Sequence, residues 1–145
     1  MKCRYTYGRR ESDRTDYGPE PYIENICQAA GQNPYFRRAL WTGKYLQMTL
    51  MCIPVGGEIG LEVHHLDQYL RVEEGCGVAK MGASREKLNY QQNVWEGWGI
   101  FVPAGTWHNV INTGNRPLKL SSVYAPPAHS HGTVHETHKI AEEEE

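Results

Sequence analysis

The stretch of sequence that decides the fold spans residues 97–112 and reads Gly97-Trp98-Gly99-Ile100-Phe101-Val102-Pro103-Ala104-Gly105-Thr106-Trp107-His108-Asn109-Val110-Ile111-Asn112. Two runs rich in apolar residues flank the segment Pro-Ala-Gly, which has the composition of a tight turn. Such a pattern predicts a β-hairpin with strands at residues 100–102 and 108–112. The second strand begins with His108, so the hairpin presents a side chain that can bind a metal or move a proton.

A stretch nearer the N-terminus repeats this plan. Ile53-Pro54-Val55-Gly56-Gly57 leads to His64 in the way that residues 102–106 lead to His108. Both are a strand, a Pro-x-Gly turn and then a strand that carries a histidine. Two such hairpins can bring their histidines together inside one barrel. The repeat therefore predicts a closed design with His64 and His108 as neighbours.

Short strands separated by turn residues account for most of the remaining chain. Alternating apolar and polar positions predict strands at residues 46–52, 61–64, 69–72, 76–81, 90–95 and 118–124. A spacing of about 8–12 residues between such strands is typical of an all-β barrel or sandwich rather than of βαβ units. One short helix is predicted at residues 22–30, with Gly31 at its C-cap.

The sequence divides into three parts. Residues 1–21 are charged and rich in turn residues, which predicts an N-terminal arm. Residues 22–126 hold the predicted helix and strands. Residues 127–145 contain four histidines and end in four glutamates, which predicts a C-terminal tail that is solvated or packed on a partner. The histidines of this tail are expected to lie outside the chemistry.

Composition excludes several classes of function. The 145 residues carry 15 Lys and Arg against 17 Asp and Glu, so we expect no basic face for nucleic acid. No apolar run approaches the roughly 18 residues that a membrane span needs, and we expect no signal peptide and a cytoplasmic protein. The four cysteines lie far apart without a C-x-x-C pair, and we expect them to be reduced.

Side-chain parity places three polar residues on one face. Glu62 and His64 are two residues apart, so on a strand they share a face, while His65 points the other way. Gln68 has the parity of His64 and is expected to face inward with it. These residues are candidate metal ligands. The alternative for Glu62 and His64 is a hydrogen-bonded polar pair, and the alternative for Gln68 is a role in orienting water or substrate. Tyr124 is a candidate substrate-binding residue or proton donor, with core packing as its alternative.

The hairpin of residues 97–112 matches the second cupin motif, G-x5-P-x-G-x2-H-x3-N, at every fixed position. The first cupin motif, G-x5-H-x-H-x3-4-E-x6-G, is matched in outline by Gly56, Glu62, His64, Gln68 and Gly75. From about residue 40 to residue 126 the chain resembles a single-domain cupin, of the kind labelled mannose-6-phosphate isomerase-like. The resemblance implies a double-stranded β-helix, that is, a jelly-roll barrel, and a homodimer.

The resemblance also implies a metal site. Cupins usually hold one divalent ion through the residues of the two motifs, which correspond here to Glu62, His64, Gln68 and His108. Glu62 replaces a histidine and Gln68 replaces a glutamate, so the set keeps one carboxylate. Two histidines and one carboxylate suit non-haem iron(II) and also catalytic zinc, and manganese or nickel are further candidates.

Three functions remain open at this point. The first is a metal-dependent, isomerase-like enzyme that acts on a small polar metabolite such as a sugar or sugar phosphate. The second is a non-haem iron(II) dioxygenase built on the same site. The third is a metabolite-binding domain without catalysis, in which the metal only anchors a small-molecule ligand. A cupin barrel hosts many chemistries, so the fold alone does not choose among them.

Overall fold

A computed structural model describes residues 13–144, and the first twelve residues of the predicted arm lie outside the described residues. Within this range the chain forms two helices and nine strands. The helices are α1 (Ile26–Gln32) and α2 (His138–Glu144). The strands are β1 (Arg37–Thr42), β2 (Gln47–Ile53), β3 (Asp67–Glu74), β4 (Gly77–Gly82), β5 (Tyr90–Val94), β6 (Gly99–Val102), β7 (Trp107–Asn112), β8 (Leu118–Ala125) and β9 (Val134–His135). Neither helix is long and apolar enough to cross a membrane.

The strands form two antiparallel sheets. One has six strands in the order β6-β3-β8-β2-β1-β9, and the other has three in the order β5-β4-β7. A backbone bridge between Glu62 and His108 extends the pairing of the smaller sheet. The predicted all-β, double-stranded β-helix is therefore confirmed.

The barrel interior is apolar in one half. Side chains of both sheets pack there, since residues paired across antiparallel strands point to the same face. The members include Met51, Ile53, Leu70, Val72, Ala79, Val94, Ile100, Val102, Val110, Leu118 and Leu120. Burial of such side chains supplies the main driving force for folding.

Strand β2 is buried on both faces. Met51 faces the barrel interior, while Leu50 packs outward against Ala30 of α1 and Leu40 of β1. Helix α1 begins later than predicted because Asn25 caps it, accepting a hydrogen bond from the Gln28 backbone N–H at 3.1 Å. The helix also continues through Gly31, so the prediction of a C-cap there is wrong.

Three strand assignments differ from the sequence prediction. Residues 61–64 form no strand, because only Glu62 pairs there, through its bridge to β7. Strands β1 and β9 were not predicted from the sequence. Strand β1 begins with Arg37 and Arg38, whose charge obscures the pattern although both are buried. Strand β9 has two residues, which is too short for an alternating pattern.

The C-terminal tail, expected to be solvated or packed on a partner, instead packs on the barrel of its own chain. Strand β9 pairs with β1, and the His138 ring stacks on Phe36 at a centroid distance of 4.8 Å. The buried Gln47 amide holds the connection, donating to the His129 carbonyl at 2.9 Å and accepting from the Ala128 and His129 N–H groups at 3.1 and 3.0 Å. Local composition cannot reveal such contacts, because their partners lie about 80 residues away in the sequence.

The described part of the predicted arm also packs on the barrel. The Asp16 carboxylate accepts hydrogen bonds from the backbone N–H and hydroxyl of Thr42 at 3.0 and 2.6 Å, and from the Gly132 N–H at 2.9 Å.

Cys27 is disulfide-bonded, so the expectation of four reduced cysteines is wrong for this residue. Separation along the sequence does not limit distance in the fold. Cys52 and Cys76 carry free thiols.

Candidate metal centre

Glu62, His64 and His108 converge at the inner surface of the barrel. Their candidate ligand atoms all lie within 4.8 Å of one another. The backbones of Glu62 and His108 exchange two hydrogen bonds, at 3.0 and 2.9 Å, which fixes the two side chains opposite each other. The predicted neighbourhood of His64 and His108 is confirmed, because their ring centroids are 5.4 Å apart.

The His108 ring is held in the tautomer that a metal ligand needs. Its Nδ1 lies 2.9 Å from the Thr106 carbonyl oxygen, which only accepts, so Nδ1 carries the proton and donates. The lone pair is therefore on Nε2, which is buried without a hydrogen-bond partner and lies 3.7 Å from Glu62 Oε1. Metal-binding histidines are oriented by such a second hydrogen bond.

Glu62 is the ionised member of the set. Burial by itself would raise its pKa, but the adjacent His108 and His64 imidazoles and the charge of Arg37 outweigh burial and hold the pKa of this carboxyl well below its usual range. His64 Nε2 lies 3.5 Å from Glu62 Oε1 outside hydrogen-bonding geometry and is buried without a partner. The three side chains thus face a common point rather than satisfying one another.

This arrangement fits one divalent ion. Two ligand atoms at the usual distance from a tetrahedral zinc are about 3.3 Å apart, close to the 3.5 and 3.7 Å separations from Glu62 Oε1. Buried polar atoms without partners are rare in native proteins and costly, and an ion would satisfy both imidazole nitrogens at once.

Gln68 and Tyr124 lie side by side on paired strands. The Gln68 amide donates from Nε2 to the Ser122 hydroxyl at 2.9 Å, and its Oε1 is buried without a partner, as an oxygen ligand would be. The Tyr124 and His64 rings pack edge to face, with their centroids 5.8 Å apart. Burial raises the pKa of Tyr124, so the phenol stays protonated at neutral pH. In contrast, His65 is exposed, as its parity predicts.

A cavity of about 520 Å³ opens beside the three converging side chains. Its walls include Glu62 and His64, and also His129, His135 and Glu144 from the C-terminal segment. Burial, followed by the charge of Arg37, lowers the pKa of His129 to about 3, so its imidazole is neutral at neutral pH. The expectation that the tail histidines lie away from the site is wrong for His129 and His135, because residues 126–135 fold back over the barrel.

Arg37 is a further residue that sequence reasoning missed. It is 1 % exposed, and it lines a second cavity of about 300 Å³ together with Glu62. The only sequence signal was a pair of arginines within Tyr35-Phe36-Arg37-Arg38-Ala39-Leu40, a run otherwise suited to a strand. A buried arginine in an interior with few acidic groups is unusual and calls for a functional explanation.

Known proteins are similar to this chain over most of its length. The chain is 58% identical over 135 residues to the uncharacterized protein YrkC of Bacillus subtilis (strain 168), a match that covers 92% of this chain and 73% of YrkC. A crystal structure of a Bacillus halodurans protein is similar at 60% identity and a TM-score of 0.88, covering 89% of this chain and 98% of that one.

A more distant match supports the fold alone. A Klebsiella pneumoniae protein with a double-stranded β-helix domain has a TM-score of 0.57 at 20% identity, covering 70% of this chain and 84% of that one. The family model described as a cupin domain matches residues 49–124, which is more than half of the chain. With two antiparallel sheets in a double-stranded β-helix and this match, the chain belongs to the cupin superfamily.

Proposed function

We propose that this cupin is a metal-dependent enzyme that acts on a small polar metabolite such as a sugar or sugar phosphate, with one divalent ion bound by Glu62, His64, Gln68 and His108. One observation carries the proposal. Most of the buried side-chain polar atoms that have no hydrogen-bond partner within residues 13–144 belong to the polar half of the barrel interior. They are Arg37 Nε, Thr49 Oγ1, His64 Nε2, Gln68 Oε1, His108 Nε2, Tyr124 Oη and His129 Nε2.

A decayed or purely structural interior would not keep this arrangement. Each unpartnered buried polar group costs about 1–3 kcal/mol, and pairing within the protein would remove that cost. The Ser122 and Thr49 hydroxyls lie near Tyr124, yet the phenol is not in hydrogen-bonding geometry with either. The interior therefore has the polarity of a binding site whose partners come from outside the chain.

Tyr124 and His129 form a pair of side chains that suits proton-transfer chemistry, and His129 lines the cavity. A divalent ion held by the four residues would supply a Lewis acid for a carbonyl or hydroxyl group. Tyr124 offers a protonated phenol, and the neutral His129 imidazole offers a proton acceptor 5.3 Å away, measured between ring centroids. The cavity volume of about 520 Å³ suits a small metabolite.

Metal analysis tests the proposed site. Protein purified without added metal is expected to carry close to one equivalent of a divalent ion, measured by inductively coupled plasma mass spectrometry. Glu62→Ala and His108→Ala should each lose most of it, and Gln68→Ala should lower the affinity. His65→Ala is the matched control, because His65 adjoins a ligand in sequence but is exposed. Unchanged metal content in both Glu62→Ala and His108→Ala would show that the assignment is wrong.

The identity of the metal separates the enzymatic alternatives. Two histidines and one carboxylate also suit iron(II) with positions open for dioxygen, which favours a dioxygenase as the second candidate. Iron together with oxygen uptake would support that candidate, whereas zinc or manganese without uptake would oppose it. Turnover of aldose and ketose phosphate pairs tests the isomerase-like activity, and binding without turnover would support a non-catalytic domain.

Two further expectations accompany this proposal. The resemblance to small cupins predicts a homodimer, which sedimentation equilibrium of the purified chain tests through the measured mass. We also propose a cytoplasmic location without a nucleic-acid partner, which cell fractionation and a salt-dependent DNA-binding assay test. The expected results are recovery in the cytoplasmic fraction and no DNA affinity at physiological salt.

A further inference from the structure

Arg37 lies inside the barrel, next to the candidate metal centre. Its register partners are Met51 on β2 and His135 on β9, and the Met51 side chain belongs to the interior core. Residues paired in this way point to the same face, so the Arg37 side chain also enters the interior. It lines a cavity that Glu62 also lines.

The guanidinium of Arg37 is incompletely satisfied by the protein. Its Nη1 lies 3.2 Å from His135 Nδ1. Since arginine only donates, the histidine nitrogen is the acceptor of this hydrogen bond. Its plane lies over the Phe36 ring at 5.3 Å. Nε is buried without a partner. Among residues 13–144, no carboxylate lies within 4.0 Å of this guanidinium.

The other charged groups of this region have their own partners. Glu58 accepts from the Asn109 amide at 3.2 Å, and Glu142 pairs with His138 at 3.1 Å. Glu144 lies 3.1 Å from His135 Nε2 and is largely exposed. Arg85 stacks over the Trp107 ring at 5.4 Å. None of these groups neutralises Arg37 by direct contact, and Glu62 acts on it only through space.

Charge balance then determines the kind of ligand that the interior accepts. Glu58, Arg85 and Glu142 line the same cavity but are exposed to solvent, which screens their charges. Of the charges withdrawn from solvent, Arg37 and Glu62 cancel each other, and a divalent ion bound by Glu62, His64 and His108 adds two positive charges. Buried charge is costly unless it is paired. A neutral ligand would leave both charges unbalanced, whereas a carboxylate would balance one of them and a phosphate dianion both, and either oxyanion would give Arg37 Nε an acceptor.

We propose that the substrate of this metal centre carries a carboxylate or phosphate group and that Arg37 binds this oxyanion. This inference rests on the proposed function and narrows its substrate class from polar metabolites in general to anionic ones. Arginine suits the task, since its planar fork of donors matches the geometry of both groups.

Titration with small anions tests the proposal. Metal-loaded protein is titrated with acetate, with inorganic phosphate and with acetamide, which has the shape of acetate without its charge. We expect both anions to bind more tightly than acetamide. Arg37→Met should weaken anion binding by about 10- to 100-fold while the metal content stays at the wild-type value. Preference for acetate or for phosphate distinguishes a carboxylate from a phosphate substrate.

The matched control is Arg38→Met. Arg38 is the neighbouring buried arginine, but it bonds outward to the Thr15 carbonyl at 2.7 Å, so its loss should leave the anion affinity unchanged. If Arg37→Met binds anions as the wild type does, the anions bind the metal alone and the inference is overturned. Wild-type protein that takes up no metal would instead refute the proposed function.

A second measurement does not depend on the folding of a variant. In ¹⁵N-labelled wild-type protein, the Nε–H resonance of Arg37 should shift on addition of phosphate or acetate and stay in place with acetamide. The Arg38 Nε–H resonance serves as the internal control. An Arg37 signal that is unmoved by saturating anion would contradict the proposal even if Arg37→Met does not fold.

Discussion

At the scale of single residues, burial, charge and hydrogen bonding determine the charge of Glu62 and of His129 and the orientation of the His108 ring. His108 presents its Nε2 lone pair because its Nδ1–H donates to the Thr106 carbonyl, and Glu62 remains a carboxylate because two imidazoles and Arg37 favour its charge. His129 is neutral for the opposite reason, since burial and the nearby Arg37 disfavour a second positive charge. These states are the ones that the proposed metal binding by Glu62 and His108 and the proposed proton transfer by His129 require.

His129 should make the stability of the fold depend on pH. Its pKa is about 3 in the folded chain and about 6.5 in the unfolded chain, so the unfolded state binds more protons between these values. The free energy of unfolding should therefore fall as the pH decreases from 6.5 towards 3. We expect His129→Gln to lose less stability than the wild type between pH 7 and pH 5, measured by urea denaturation of metal-free protein.

The control for this prediction is His65→Gln, which replaces an exposed histidine and should leave the pH dependence unchanged. Equal slopes for wild type and His129→Gln would show that His129 is not held neutral by its surroundings.

At the scale of elements, the C-terminal segment is built into the barrel through strand β9, helix α2 and the amide of Gln47. Gln47 is fully buried and makes its hydrogen bonds to the backbone of the segment and to the Thr42 hydroxyl. The segment supplies His129 and His135 to the cavity wall. The Gln47 side chain therefore helps to hold the segment that forms one wall of the cavity.

We expect Gln47→Ala to loosen residues 126–135 without unfolding the barrel. The substitution leaves two N–H groups and one carbonyl of the segment without partners, which should cost about 1–3 kcal/mol. Hydrogen exchange should show faster exchange at Ala128 and His129, and proteases should cleave this segment earlier. Gln91→Ala serves as the control, because Gln91 is an exposed strand residue. Wild-type protection in Gln47→Ala would contradict this role.

At the scale of the whole molecule, the barrel has an apolar half and a polar half. The apolar half holds the large core cluster, and the polar half holds the atoms without partners. Burial of the apolar half supplies the free energy of folding. The polar half can therefore contain groups that reduce the stability of the fold. A ligand that satisfies those groups should stabilise the entire fold.

Metal removal should therefore lower the unfolding temperature. Binding to the folded state alone contributes about 2.7 kcal/mol when the free ion is at 100 times its Kd. For a chain of this length we expect a decrease of roughly 5–10 °C in Tm after treatment with a chelator, measured by calorimetry. His108→Ala should be insensitive to the chelator. An equal decrease in that variant would place the stabilising ion elsewhere.

The sequence by itself determined the barrel and the three converging residues, because the hairpin of residues 97–112 and its repeat before His64 are local patterns. Strand parity placed Glu62 and His64 together although residues 61–64 form a single bridge and no strand. It also determined the exposure of His65. Tertiary structure alone decided that Arg37 lines one cavity beside Glu62, that His129 and His135 line the other, and that Arg37 contacts His135 between them. Their neighbours are brought together by β-pairing between residues almost 100 positions apart, and the burial that removes water from them exists only in the folded chain.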